Sequence, residues 1–294
     1  MAHKNGQTNE GNIRRIKWAL FLTCSFMVVE VVGGIISGSL ALLADAAHML
    51  TDTAALSLAW FAYYISSKPP DSRRSYGYHR FQVLAALLNG ITLLAIVGWI
   101  TFEAIRRLQE PIAIMGQTML IVATLGLVVN IVSYLILHGG DMRNLNMRGA
   151  ALHVLGDMLG SAGAIVAAVV ILLTGFTPID PILSIFIAAL ILGSAWDLVK
   201  KAAHILLEGS PEWLNIDSLK AELTKEIPDV ENIHHIHAWS LTPEKTMITM
   251  HANLKCEADH IKALVEMKLC LKEKFGITHS TIQIEQELCS DKDD

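Results

Sequence analysis

The sequence predicts an α-helical membrane protein of six transmembrane helices followed by a small C-terminal α+β cytosolic domain, and three observations carry that prediction. The 294 residues are 52% apolar and only 17% charged, with a mean hydropathy of +0.44, which is too apolar for an ordinary soluble domain. Six stretches reach the roughly 20 residues needed to cross a hydrocarbon core about 30 Å thick. The last third carries most of the Glu, Asp and Lys and changes to short alternating patterns, so a second, soluble domain is expected. Residues 1–12 read as a polar N-terminal tail without a signal-peptide pattern, 13–208 as the membrane domain and 209–294 as the cytosolic domain, with the boundary near Glu208 to Pro211. A net charge of −5 argues against a nucleic-acid partner, which calls for a basic face. Cys24, Cys256, Cys270 and Cys289 show no CxxC and no regular spacing, so no disulfide framework is expected.

The six spans fall at 16–36, 40–65, 81–108, 117–138, 147–173 and 181–206. Basic residues set their orientation. Arg14, Arg15 and Lys17 precede the first span; Lys68, Arg73, Arg74 and Arg80 lie between the second and third; Arg143 and Arg148 lie between the fourth and fifth; Lys200 and Lys201 end the sixth. The opposite side has only Arg106 and Arg107. By the positive-inside rule both termini are cytoplasmic.

The second and fifth spans each hold a histidine and an aspartate four residues apart, His48 with Asp52 and His153 with Asp157, and that spacing puts each pair on one helix face. A carboxylate near the bilayer centre costs about 2.5 to 3.5 kcal/mol, so the two aspartates together cost roughly 5 to 7 kcal/mol unless something compensates. Two neutral imidazoles and two carboxylates make a four-ligand nitrogen and oxygen set, which suits tetrahedral Zn2+ better than Mg2+ or Ca2+. The bland alternative is a pair of buried ion pairs or helix-joining polar contacts. Two copies on separate spans make that alternative the weaker one.

The remaining polar residues in the spans are single. Glu30 in the first span, beside Gly33, Gly34 and Gly38, reads either as a proton-carrying or ligand-supporting group or as a packed, protonated carboxyl. Asp45 lies on the stripe of His48 and Asp52 and extends the pathway beyond them. Asn89 and Asn130 are single amides whose default use is an interhelical hydrogen bond, with a pathway role for Asn89 as the alternative. In the fifth span Gly149, Gly156, Gly160 and Gly163 form a small-residue face that lets a neighbouring backbone come close.

After Gly209-Ser210-Pro211 the pattern predicts a helix at 215–226 stopped by Pro228, strands at 233–241 and 246–254 joined by a turn at 242–245, a helix at 259–275 ended by Gly276, and a strand at 280–285. The order αββαβ is compatible with three strands covered on one face by two helices, as in ferredoxin-like folds. Alternation sends Ile248, Met250, Ala252, Leu254, Ile282 and Ile284 toward the helices and leaves His251 and Glu285 on the open face. His235 and His237 share one face of the first strand and His234 sits at its entry, so any of the three can join them in a secondary metal site, the alternative being that these histidines form a protein interface.

From Ser37-Gly38-Ser39-Leu40-Ala41-Leu42-Leu43-Ala44-Asp45 through His48-Met49-Leu50-Thr51-Asp52, the chain resembles the cation diffusion facilitator family, in its bacterial zinc-efflux branch. Six spans, paired HxxxD motifs in the second and fifth, and an αββαβ tail carry the resemblance over nearly the whole chain. It implies a proton-coupled antiporter that exports divalent metal across the bacterial inner membrane, works as a homodimer, and uses H+ as counter-ion. The residues matching the family's transport motif are His48, Asp52, His153 and Asp157, and a histidine at the first of these goes with zinc. The family's tail positions fall near His234, His251 and Glu285. Arg80 and Glu208 stand where relatives carry an interlocking charge pair. The chain lacks the histidine-rich loop many relatives have between the fourth and fifth spans. In the second-to-third loop only Asp71 and His79 remain as ligand types, so no metal site is expected there. An enzyme is not expected, because an intramembrane zinc hydrolase would show HExxH with its Glu base. The alternative to export is a metal-sensing or structural zinc-binding membrane protein.

Overall fold

Runs of Leu, Ala, Ile and Val with no proline beyond a first turn leave the backbone no hydrogen-bond partner in lipid except itself, and helices result. In the computed structural model these are α1 (Ala2–Ser37), α2 (Leu40–Ser66), α3 (Arg80–Gln109), α4 (Gly116–His138), α5 (Leu145–Thr174) and α6 (Ile179–Leu206), followed by α7 (Ile216–Glu226), β1 (Val230–Thr242), β2 (Lys245–Leu254), α8 (His260–Phe275) and β3 (His279–Glu285). The structure describes residues 2–66, 68–139 and 145–285, and their side chains except at 2–13, 16, 52, 55–57, 59, 60, 62, 63, 66 and 145–150. Among the described residues five helices are long and apolar enough to cross a membrane, and α2 contributes Leu40–Thr51 as a sixth, shorter apolar segment. Large apolar side chains turned outward along these helices, such as Leu173 at 80% exposure, suit a lipid environment. The helical backbone of α1 begins at Ala2 and runs through most of the polar segment at 1–12. Polarity marks where a helix leaves the apolar core, and it does not by itself end the helix.

Two units divide the chain: residues Met1–Leu58 with Leu88–Asp197, and Ala59–Leu87 with Leu198–Asp294. In the first, α2 has apolar neighbours on two sides. Ala41, Leu42 and Met49 join Phe26 of α1, Met119, Val122 and Ala123 of α4, and Ala164, Ala167, Ala168 and Ile171 of α5. Leu40 and Ala44 join Leu93, Val97, Ile100 and Ala104 of α3 and Ala188, Ile191 and Ala195 of α6. Helices in lipid associate through close packing rather than a hydrophobic drive. Gly33 shows how close α1 and α4 come, since a Cβ there would lie 2.5 Å from Val122 Cγ2.

The start of α2 is held by a residue far away in sequence. The Asp180 carboxylate accepts from Ser39 Oγ at 2.5 Å, Leu40 N at 2.7 Å and Ala41 N at 3.2 Å, and it is fully buried. It thus satisfies N–H groups that every helix start leaves without an intrahelical partner. Arg107 Nη1 donates to Gly38 O at 2.6 Å, while Glu103 accepts from Arg106 and Arg107 at 2.9 Å each.

In the second unit the sheet order is β1-β2-β3, with β1 antiparallel to β2 and β2 parallel to β3. Ile248, Met250, Ala252 and Leu254 of β2 meet Leu219 and Leu223 of α7 and Ala263, Met267 and Leu271 of α8 in one core, with Ile282 and Ile284 packed against it. That is the inward face alternation predicts. Asn215 caps α7 by accepting from Ser218 N at 2.9 Å, and Asp259 caps α8 by accepting from Ile261 N and Lys262 N at 3.0 and 3.1 Å. Gly276, at φ +66°, ends α8 in the left-handed conformation that glycine adopts without a Cβ penalty. Among the described residues Cys24, Cys256 and Cys270 are free thiols; Cys289 lies outside them.

Candidate metal centre

Within the membrane unit the ligand atoms of His48 on α2 and of His153 and Asp157 on α5 all lie within 4.8 Å of one another. The two imidazole centroids are 5.9 Å apart at 64°, and His153 Nε2 is 3.8 Å from Asp157 Oδ2. Tetrahedral zinc with bonds of about 2.0 to 2.1 Å brings neighbouring donors to about 3.3 Å, a contraction that side-chain rotation can supply. The Asp52 side chain, the fourth of the set, lies outside the described residues. Asp157 is buried, His48 is half-buried and the His153 side chain is half exposed.

The meeting of α2 and α5 has a local cause. A Cβ on Gly160 would stand 3.3 Å from Asp45 Oδ1, so a larger residue there would press on the helix that carries His48. Asp45 is buried three residues before His48, and the buried Glu30 of α1 lies beside it. The Glu30 and Asp45 contact joins two residues that sequence reading treated singly, since no local pattern links positions on different helices. Asn130 forms the interhelical bond expected of it, donating to Ser161 Oγ at 3.3 Å. Asn89 is half-buried on α3.

A second cluster lies on the open face of the soluble sheet. The ligand atoms of His234, His251 and Glu285 lie within 4.8 Å of one another. His234 Nε2 is 3.1 Å from Glu285 Oε2, and His251 Nδ1 is 3.1 Å from Glu285 Oε1. The register explains the choice among the three β1 histidines. His234 stands directly opposite His251, and a bulge follows before His237 pairs with Thr249; opposed residues of an antiparallel pair share a face. His235 takes φ +51° inside that bulge. Its ring stacks on His251 at 5.0 Å and lies 5.4 Å from His237, and neither His235 nor His237 belongs to the three-residue cluster.

The second-to-third loop uses its two ligand-type residues otherwise. Asp71 accepts from Tyr78 Oη at 2.7 Å and from the backbone N–H of Arg73 and Arg74 at 2.8 Å each, and the Tyr78 bond in particular holds its carboxyl below the usual range. His79 Nε2 is 3.4 Å from Lys245 Nζ, and burial together with that ammonium lowers its pKa. Arg80 Nη2 donates to Glu208 Oε1 at 2.9 Å.

Comparison with known proteins covers both parts of the chain. The family model described as cation efflux transmembrane domain matches residues 16–207, and that described as cation efflux protein, cytoplasmic domain, matches residues 211–287. The zinc transporter ZitB of Pectobacterium atrosepticum is 48% identical over 99% of this chain and 91% of its own length. A cadmium, cobalt and zinc/H(+)-K(+) antiporter of Bacillus subtilis is 39% identical over 95% of this chain and 91% of its own. The solved metal-bound C-terminal domain of the CzcD transporter is 32% identical, covering 24% of this chain and 99% of that one, with a TM-score of 0.23.

Proposed function

The chain belongs to the cation efflux family, and from that premise we propose that this multi-pass membrane protein exports Zn2+ from the cytoplasm through a tetrahedral site of His48, Asp52, His153 and Asp157 in exchange for protons. The observation that carries the reading is the convergence of His48, His153 and Asp157 between two helices of the span region. Zinc as the substrate is supported by the similarity to the zinc transporter ZitB, efflux by the match to the cation efflux transmembrane domain, and proton exchange by the similarity to the Bacillus subtilis antiporter.

Metal ligation needs neutral imidazole and ionised carboxylate, so protons and zinc compete for the same atoms. An inward-open state loads zinc from near-neutral cytosol, and on the other side protons taken up by His48 or His153 weaken ligation and release it. Because protein ligands close the cage, the helices alternate exposure by rocking. The carboxylates supply the negative charge that keeps the site attractive to a cation.

Inverted inner-membrane vesicles test this directly. Zinc uptake is expected to rise when the lumen is made acid and to collapse when an ionophore dissipates the gradient. Uptake indifferent to the imposed gradient would remove the proton exchange, and zinc binding without any uptake would favour the sensor or structural reading.

The cytosolic cluster of His234, His251 and Glu285 binds a second, regulatory zinc, and the chain works as a homodimer through this domain, with both termini in the cytoplasm. The cytoplasmic-domain match supports that role. His251→Ala is expected to lower the zinc bound per full-length chain by about one equivalent in equilibrium dialysis and leave the membrane site loaded. An unchanged stoichiometry would dismiss the second site.

A further inference from the structure

Between α2 and α3 the chain folds into a small arginine-bearing loop whose one carboxylate is already engaged. Asp71 ties the loop to itself through Tyr78 and two backbone N–H groups, and Gly77, at φ +74°, turns the chain back with its N–H on Arg74 O at 2.9 Å. Arg74 lies 4.7 Å above the Tyr78 ring and donates to its hydroxyl at 3.3 Å. The loop leaves a cavity of about 360 Å3 lined by Arg73, Arg74, Tyr76, Arg80, Glu208 and Trp239, among others.

Three arginines, Arg73, Arg74 and Arg80, thus line this cavity with Glu208 as its one carboxylate-bearing residue. Glu208 takes one arm of Arg80, and Arg80 Nε is buried with no hydrogen-bond partner among the described residues. A buried donor on a cation without an acceptor is costly, and an anion with several oxygens supplies what is lacking. Guanidinium forks match phosphate oxygens in geometry as well as charge. The loop joins two helices at their Lys- and Arg-rich ends, the level at which headgroups lie, and Tyr76, Tyr78 and Trp239 are the residue types that settle at a membrane surface.

We propose that this cavity is a phosphate-binding site that takes the phosphodiester of an anionic phospholipid from the cytoplasmic leaflet. Free inorganic phosphate offers the same chemistry from solution, and the experiment separates the two sources. The proposal concerns binding and stands apart from the metal sites.

Full-length protein is placed in phosphatidylcholine nanodiscs with increasing phosphatidylglycerol, and bound lipid and thermal midpoint are read together. The wild type is expected to retain phosphatidylglycerol preferentially and to melt higher as its fraction rises. Arg73→Gln, and Arg80→Lys, which keeps a cation for Glu208 but removes the Nε donor, are each expected to weaken that retention about tenfold. Lys200→Gln with Lys201→Gln, on the same side of the membrane but outside the cavity, should leave it unchanged. If inorganic phosphate alone raises the midpoint and displaces the lipid, the site stands with the soluble ion as its occupant. Equal retention of both lipids with no response to phosphate, or equal losses in the Lys200/Lys201 control, would overturn the site in favour of none or of general surface attraction.

Discussion

Asp157→Ala is expected to abolish metal efflux, lowering zinc uptake into inverted vesicles by at least about 100-fold, more than the 10- to 100-fold that removing a ligand's supporting partner typically costs. The carboxylate is buried and sits in the cluster with both imidazoles, so its loss removes a donor and also the negative charge that makes a cation welcome there. A water cannot replace that charge at membrane depth. Asp157→Asn should fail nearly as completely, because the amide keeps the shape and an oxygen but not the charge. Wild-type folding of both variants is checked by gel filtration and circular dichroism. Transport at the wild-type rate in either would refute the site.

Asp180→Ala is expected to cause the largest loss of stability, about 2 to 5 kcal/mol, by leaving Ser39 Oγ, Leu40 N and Ala41 N buried without an acceptor. A helix-capping side chain alone is worth typically about 1 kcal/mol; the surplus comes from burial, since water does not reach these donors to replace the lost oxygen. Asp180→Asn keeps one oxygen and should lose roughly half as much. Thermal unfolding in detergent measures both. A midpoint for Asp180→Ala equal to that of the wild type would mean that α2 finds another cap.

Local periodicity made much of this legible. The six spans follow from apolar runs, the HxxxD pairs from four-residue spacing on a helix, and the open-face position of His251 and Glu285 from two-residue alternation in strands. Each of these depends only on near neighbours along the chain. The selection of His234 over His235 and His237 was not available that way, because the bulge at His235 shifts the alternation and shows itself only in the pairing with β2. The pairing of Glu30 with Asp45 and the cavity around Arg73 and Arg80 were equally silent.

The sequence by itself therefore determined the kind of protein this is, the helices that cross the membrane, and the residue types able to hold zinc on two of them. Tertiary structure alone decided that Gly160 lets α2 lie against α5 and that Asp180 caps a helix about 140 positions earlier. The physical reason is that a repeat of 2 or 3.6 residues dictates which face a side chain occupies, whereas the partner of that face is chosen by the packing of all the helices at once.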